Sequence, residues 1–172
     1  MNEHELLELV NAAKKNFGAK CSKHSGAASV ELIRHALKKH GIETSSRDVF
    51  IKNVPVEIDF LISKPGIVPE YGLLYQPNDV LVAFEIKNAG SFGQLTIENT
   101  KQCFSLIKAS NPKILCAYVT IAERRSYKWA VHEENLGSPA YTLFWHSGSG
   151  LKLRHEPSGD WQRLINDLRK LI

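Results

Sequence analysis

Val56–Gly90 reads VEIDFLISKPGIVPEYGLLYQPNDVLVAFEIKNAG. It divides into two alternating runs and a long connection. Side chains along a strand alternate faces with a period of two. In the first run Glu57, Asp59 and Leu61 share one face, and Ile58, Phe60 and Ile62 the other. In the second, Asp79, Leu81, Ala83, Glu85 and Lys87 lie opposite Val80, Val82, Phe84 and Ile86. Each run therefore has a fully apolar face and a face that carries acids. Strand interiors seldom hold acids, because a buried unpaired charge is costly. Asp59, Glu85 and Lys87 thus require a partner. They can neutralise one another as an ion-pair cluster, since Glu85 and Lys87 are i, i+2 on one face. Alternatively a divalent cation sits between the two carboxylates. Facing carboxylates repel unless a cation separates them, which favours the metal. A hard cation such as Mg2+ takes a few carboxylate and backbone oxygens and keeps several waters.

Around this stretch the chain alternates helical and extended patterns. His4–Phe17 reads as a helix with Leu6, Val10, Ala13 and Phe17 in one stripe. Gly18 ends it, and Lys20–Gly26 reads as a polar turn. A second helix is expected over Ala27–His40, with Val30, Ile33 and Leu37 as its apolar stripe and Gly41 beyond its end. Arg47–Asn53 is a short strand, and Pro55 marks the turn into the Glu57 strand. Antiparallel pairing of these neighbours is the simple expectation. The connection from Ser63 to Asn78 holds Pro65, Gly66, Pro69, Gly72 and Pro77. It is long for a hairpin loop, and such loops are often functional. Its Tyr71 and Tyr75 can stack on bases or pack the loop onto the sheet, and packing is favoured.

After Lys87, NAGSFG is a flexible turn into a helix over Leu95–Ser110, whose stripe is Ile97, Thr100, Phe104 and Ile107. A glycine-containing turn at a helix N-terminus offers free N–H groups to a phosphate. Lys113–Ile121 is nearly all apolar from Ile114 on, as in a strand buried on both faces. A strand–helix–strand passage of this kind predicts a right-handed crossover and parallel pairing. Ala140–His146 is a further strand, and Lys152–His155 a short edge. Pro157, Ser158, Gly159 and Asp160 lead into a last helix with Trp161, Leu164, Ile165, Leu168 and Leu171 as its apolar positions.

Asp59, the twenty-five residues 60–84, and then Glu85-Ile86-Lys87 resemble the PD-(D/E)xK pattern of the restriction-endonuclease-like nucleases. The likeness covers roughly Val49–Thr120. One departure is Ile58, where many members carry proline. The resemblance implies an α/β, restriction-endonuclease-like three-layer core with a central mixed β-sheet flanked by helices. It implies that Asp59 and Glu85, with the Ile86 carbonyl, hold the metal, and that Lys87 assists the attacking water. Mg2+ is the implied cofactor and Mn2+ its substitute. Some members place a further acid on the helix before the first strand, which is where Glu31 lies. At about 100° per residue Glu31 points away from its helix's apolar stripe. Glu57 shares the Asp59 face and is either a further ligand or a rim residue. RecB-type relatives carry a Gln in the helix after the second strand, with a Tyr four residues on. Gln102 fits the first half of that pattern, but Leu106 stands at the second position.

The chain has 172 residues, 43% hydrophobic and 23% charged, the composition of an ordinary globular domain. It is expected to form one domain over 1–172, with N-terminal helices 1–41, a catalytic core about 47–121, and a C-terminal strand and helix 140–172. No run approaches a membrane span, and the N-terminus lacks a signal-peptide layout. A cytoplasmic location with no membrane partner is the expectation. Cys21, Cys103 and Cys116 form no CxxC pair and are expected to be reduced thiols. Cys21 and His24 have no second pair to complete a zinc site. Net charge is +4. Acids dominate Asn53–Glu85, whereas Ile86–Arg125 carries Lys87, Lys101, Lys108, Lys113, Arg124 and Arg125 against Glu98 and Glu123. An acidic pocket with a basic flank suits a metal site that also holds a polyanion. Lys101, Lys108, Arg124, Arg125 and Lys128 are the candidate phosphate contacts, with solvated faces as the plain alternative.

No Walker loop, GxGxxG, HExxH or GxSxG is present. The expected function is a metal-dependent nuclease acting on DNA, of restriction, repair or junction-resolving type. The alternatives are a non-catalytic nucleic-acid-binding or assembly module on the same fold, and an RNA nuclease. No recognition domain is visible, so cutting at a defined sequence would call for a homodimer or a partner subunit.

Overall fold

The computed structural model describes residues 1–17, 22–88, 94–124, 129–147 and 154–172. Its centre is a five-stranded mixed sheet in the order β2-β4-β5-β6-β7. These are β2 (Phe60–Ser63), β4 (Val80–Lys87), β5 (Leu115–Arg124), β6 (Ala140–Ser147) and β7 (Arg154–Pro157). β2 runs antiparallel to β4, β4–β5 and β5–β6 are parallel, and β7 is antiparallel to β6. The helices are α1 (Glu3–Phe17), α2 (Ser22–Lys39), α3 (Gln94–Ser110), α4 (Trp129–Leu136) and α5 (Asp160–Arg169). Two short strands, β1 (Phe50–Ile51) and β3 (Leu74–Tyr75), pair parallel to each other outside the main sheet.

The alternation of the two central runs separates the layers. Phe60, Ile62, Val82, Phe84 and Ile86 project to one face and are buried with Leu6 and Val10 of α1, Val30, Ile33 and Leu37 of α2, and Trp161, Leu164, Ile165 and Leu168 of α5. Phe60 and Phe84, directly cross-strand, stack at 4.4 Å between ring centroids, a pairing worth about 0.5–1.5 kcal/mol beyond its burial. Leu61, Ala83, Cys116 and Tyr118 project to the opposite face, against Ile97, Phe104 and Ile107 of α3 and Val49, Ile51 and Tyr75 of the β1–β3 segment. Helices thus cover both faces of a mixed sheet in three layers. This is the restriction-endonuclease-like arrangement that the D…E-x-K resemblance implies.

Several elements differ from the sequence expectation. α2 begins at Ser22 rather than Ala27, because a lone glycine such as Gly26 costs a helix only about 1 kcal/mol. The Arg47–Asn53 strand shrinks to β1, and its partner is β3, within the connection read as a long loop. Only Val49 pairs antiparallel with the following segment, at Ile58. A two-residue strand carries no readable periodicity, so β3 left no signal. The register between β2 and β4 shifts after Ile62↔Val82, so that Ser63 faces Val80. This bulge turns Val80 into the α3-side core and Leu81 toward the other layer, reversing their expected faces. α4 was not expected, yet parallel pairing of β6 with β5 demands a crossover. Of the expected Lys152–His155 edge, residues 154 and 155 belong to β7, and residues 152 and 153 lie outside the described residues. Leu171 is exposed and lies past the end of α5, so the stripe of that helix closes at Leu168. No described helix is long and apolar enough to cross a membrane. Cys103 and Cys116 are free thiols, and the Cys116 thiol is pushed up to about 12 by burial. Cys21 lies outside the described residues.

Candidate active site

β2 starts at Phe60, so Asp59 stands just before the strand rather than in its middle. Pro55 and the turn that closes with the Val54 N–H to the Ile51 carbonyl, 3.0 Å, keep the chain out of strand geometry before Ile58. Glu57 is in consequence exposed. Asp59 is pinned through its backbone as well. Its carbonyl accepts the Asp48 N–H at 3.1 Å, and Asp48 adopts a left-handed φ of 56° to make that contact.

The antiparallel register pairs Phe60 with Phe84, and one further step brings Asp59 opposite Glu85. The Asp59 Oδ2 accepts the Ile86 N–H at 2.6 Å, so the carboxylate takes the place of a ladder partner. The Lys87 ammonium closes on Glu85 Oε1. Asp59, Glu85, Ile86 and Lys87 are thus gathered at one end of β4. The Asp59 carboxyl is pushed up to about 6, first by burial and then by the Glu85 charge, against the pull of the Ile86 N–H and Lys87.

α3 crosses this end of the sheet. Its stripe turns Thr100, Phe104 and Ile107 inward, which places Cys103 beside the site and leaves Gln102 exposed. The Cys103 thiol is raised by burial, then by the Glu85 charge, with Lys87 opposing. The structure therefore does not bring Gln102 to the carboxylates; Cys103 occupies that level of the helix. Sequence alone pointed to Gln102 by resemblance, and helical phase was the signal that favoured its neighbour.

Glu31 stays exposed on α2 and is paired, with Arg34 Nη1 at 2.7 Å and Arg47 Nε at 3.9 Å. Arg47 also donates to Asp48 Oδ2 at 2.9 Å. Its guanidinium is raised first by that bond, and more weakly by the charges of Glu31 and Asp59. Arg47 therefore pairs with Glu31 and Asp48 and feels the Asp59 charge, and neither Arg47 nor Asp48 was singled out from sequence. Their signal would have been the acid–base pair next to a strand start.

The expected basic flank is only partly assembled. Lys101 is exposed on α3. Lys108 is engaged elsewhere: its ammonium donates to the Gly137 carbonyl at 2.5 Å and to Ser138 Oγ at 2.8 Å, closing the C-terminal end of α4, where a cation suits the helix dipole. Arg124 is described only as the last backbone position of β5. Arg125 and Lys128 lie outside the described residues.

Among the described residues, no three His, Cys, Asp or Glu side chains come together as a metal cluster. A cation here would rest on Asp59, Glu85 and backbone oxygen, with water completing its shell. That donor set fits a hard ion such as Mg2+, which retains several waters. The raised Asp59 carboxyl also fits, since a cation between the two acids would offset the cost of burying the charge and the Glu85 repulsion that together raise it.

The fold is shared with solved structures of NucC. NucC of P. aeruginosa ATCC27853 in its cAAA-bound form superposes with a TM-score of 0.69 at 11% identity, over 98% of this chain and 88% of that one. The cAAA-bound form of E. coli MS115-1 NucC gives 0.64 at 12% identity, over 98% and 87%. Its apo form gives 0.60 at 12% identity, over 100% and 93%. At such identities the likeness is one of fold. No family model matches the chain, and no curated protein matches it.

Proposed function

We propose that this protein is a metal-dependent nuclease that hydrolyses phosphodiester bonds, acting as a DNA endonuclease. The observation that carries the reading is the convergence of Asp59 and Glu85, with the Asp59 carboxylate bonded to the Ile86 N–H, on a fold of restriction-endonuclease type. Asp59, Glu85 and the Ile86 carbonyl hold Mg2+, for which Mn2+ substitutes. A bound ion of this kind supplies an activated water, a polarised phosphoryl oxygen and relief of charge at the leaving oxygen. Lys87, on the same face as Glu85, orients the attacking water and donates to the charge that develops on the phosphate. Lys101 contributes a phosphate contact, and a second copy or a partner subunit completes the cutting assembly.

The test is cleavage of plasmid, duplex, single-stranded DNA and RNA in Mg2+, Mn2+ and chelator. Asp59→Ala, Glu85→Ala and Lys87→Ala are each expected to lower the rate by at least about a hundredfold while the fold persists. Wild-type cleavage by either acid variant sinks the assignment. Loss of folding in all three would favour the plain ion-pair cluster, and binding without cleavage by the wild type would favour a non-catalytic module. Preference for RNA would move the substrate class.

Because the NucC structures of this fold include cAAA-bound forms, a second reading is that cAAA governs the activity. Running the same assay with and without cAAA tests it. A changed rate supports that control, and an unchanged rate removes it.

A further inference from the structure

We infer that Tyr71 is a base-stacking wedge, which places an aromatic ring against an unpaired nucleobase of a strand held at the Asp59–Glu85 site. The inference rests on the nuclease reading. Tyr71 is 94% exposed and has a φ of 54°. A left-handed backbone costs a residue with a Cβ roughly 1–2 kcal/mol, and an exposed ring recovers none of it from packing within the chain. Strain that the surroundings maintain is a pointer to function. Tyr75, the other tyrosine of this connection, is by contrast buried in the core.

The surroundings do maintain it. Glu70 and Leu74 exchange backbone hydrogen bonds, both 2.9 Å, across the turn. The Gly72 N–H reaches the Pro69 carbonyl at 3.2 Å, and the Leu73 N–H reaches the Glu70 carbonyl at 3.2 Å. The Glu70 carboxylate accepts from Gln76 Nε2 at 2.6 Å and pairs with Lys52 Nζ at 3.5 Å. The ring is therefore carried on a braced turn, not a loose tip, and Val68 beside it is 87% exposed.

The turn is tied to the candidate site through the backbone. The Leu73 carbonyl accepts the Phe50 N–H at 3.0 Å, and two residues before Phe50 the Asp48 N–H bonds the Asp59 carbonyl. With four chain steps of at most about 3.8 Å each and two hydrogen-bonded crossings, Tyr71 lies no more than about 25 Å from Asp59. That separation is within the span of about seven nucleotides at roughly 3.4 Å per nucleotide, so one strand can reach both the site and the ring. The exposed Lys64 on the same connection supplies a cation for the backbone of such a strand. That continuity with the site favours a nucleobase over a second protein copy as the occupant.

The experiment uses the full chain in Ca2+ with oligonucleotides, single-stranded and duplex, that carry 5-iododeoxyuridine at each position in turn. Photocrosslinking to the peptide containing Tyr71 is expected at one or two adjacent positions. Base–aromatic stacking contributes about 1–3 kcal/mol, so Tyr71→Ala should weaken binding about 5- to 150-fold, and Tyr71→Phe should bind within about twofold of wild type. Tyr71→Gly relieves the backbone strain, so it should melt no lower than wild type while binding as weakly as Tyr71→Ala. Wild-type affinity in Tyr71→Ala, or crosslinks elsewhere only, overturns the inference and leaves the nuclease reading standing. A fall in oligomeric state of Tyr71→Ala with unchanged affinity would assign the tip to a contact between copies and overturn it too. No binding of any oligonucleotide by the wild type overturns the inference together with the reading beneath it.

Discussion

At the scale of single residues, Asp59 sets the strongest expectation. Its carboxyl rises from 3.8 to about 6 on folding, chiefly through burial and the Glu85 charge. The folded state therefore holds that proton more tightly than the unfolded chain does. Below the unfolded value the group costs nothing; the destabilisation grows as pH rises from about 4 to about 6 and then stays constant. In chelator at about pH 7.5, Asp59→Asn should raise stability by on the order of 2–3 kcal/mol, and at about pH 4 it should change little. Urea titrations at the two pH values check this, and equal effects at both would refute it. With saturating Mg2+ the order should reverse, because an ion bound to the native state stabilises only the protein that can hold it. Glu31 gives a contrasting case. It is exposed and already paired with Arg34 and Arg47, so Glu31→Gln should cost less than about tenfold in cleavage rate. Glu85→Gln should remove activity and metal affinity together; matched losses in the two variants would place Glu31 at the metal.

At the scale of elements, the two lysines of α3 separate. Lys101 faces solvent, whereas Lys108 closes the end of α4 through Gly137 and Ser138. On duplex DNA in Ca2+, Lys101→Ala should flatten the slope of log K against log salt by about 0.9, one phosphate contact. Lys108→Ala should leave that slope alone and lower stability by about 1 kcal/mol instead, as a lost charged hydrogen bond. Titrations at several salt concentrations with thermal melts of both variants decide it. The elements that were legible in sequence are those long enough to repeat their period. β4 and α3 begin within a residue of expectation, since eight and seventeen residues display strand alternation and a helical stripe. β1 and β3 span two residues each and show no period at all. The bulge that swaps Val80 and Leu81 is equally silent, because it arises from pairing with β2 and not from the composition of β4.

For the whole molecule, α1, α2 and α5 share one core with β2, β4, β5 and β6, and the α3 side shares the same strands from the opposite face. A single cooperative domain follows as a proposal. Far-UV circular dichroism and the fluorescence of the tryptophans, of which Trp161 is fully buried, should then report coincident urea transitions; two separated midpoints would divide the chain. The candidate site was legible where chemistry and strand pattern coincide, at Asp59, Glu85 and Lys87. Its surroundings were not, because Asp48, Arg47 and Cys103 reach it through a left-handed backbone, an ion pair and helical phase, which only the folded chain assembles. The two acids also stand on unequal footing. Glu85 lies in a strand with neighbours on both sides. The outer side of β2 is instead closed by a loop: the Ser45 N–H bonds the Leu61 carbonyl at 2.8 Å, and Ser45 Oγ takes the Leu61 N–H at 2.9 Å. Transient opening of residues 45–48 would therefore release Leu61 and Asp59 together. The Leu61 amide becomes a clock for that fluctuation: its deuterium uptake should outpace that of Phe84 in chelator, and Mg2+ should slow it before any other amide of the sheet.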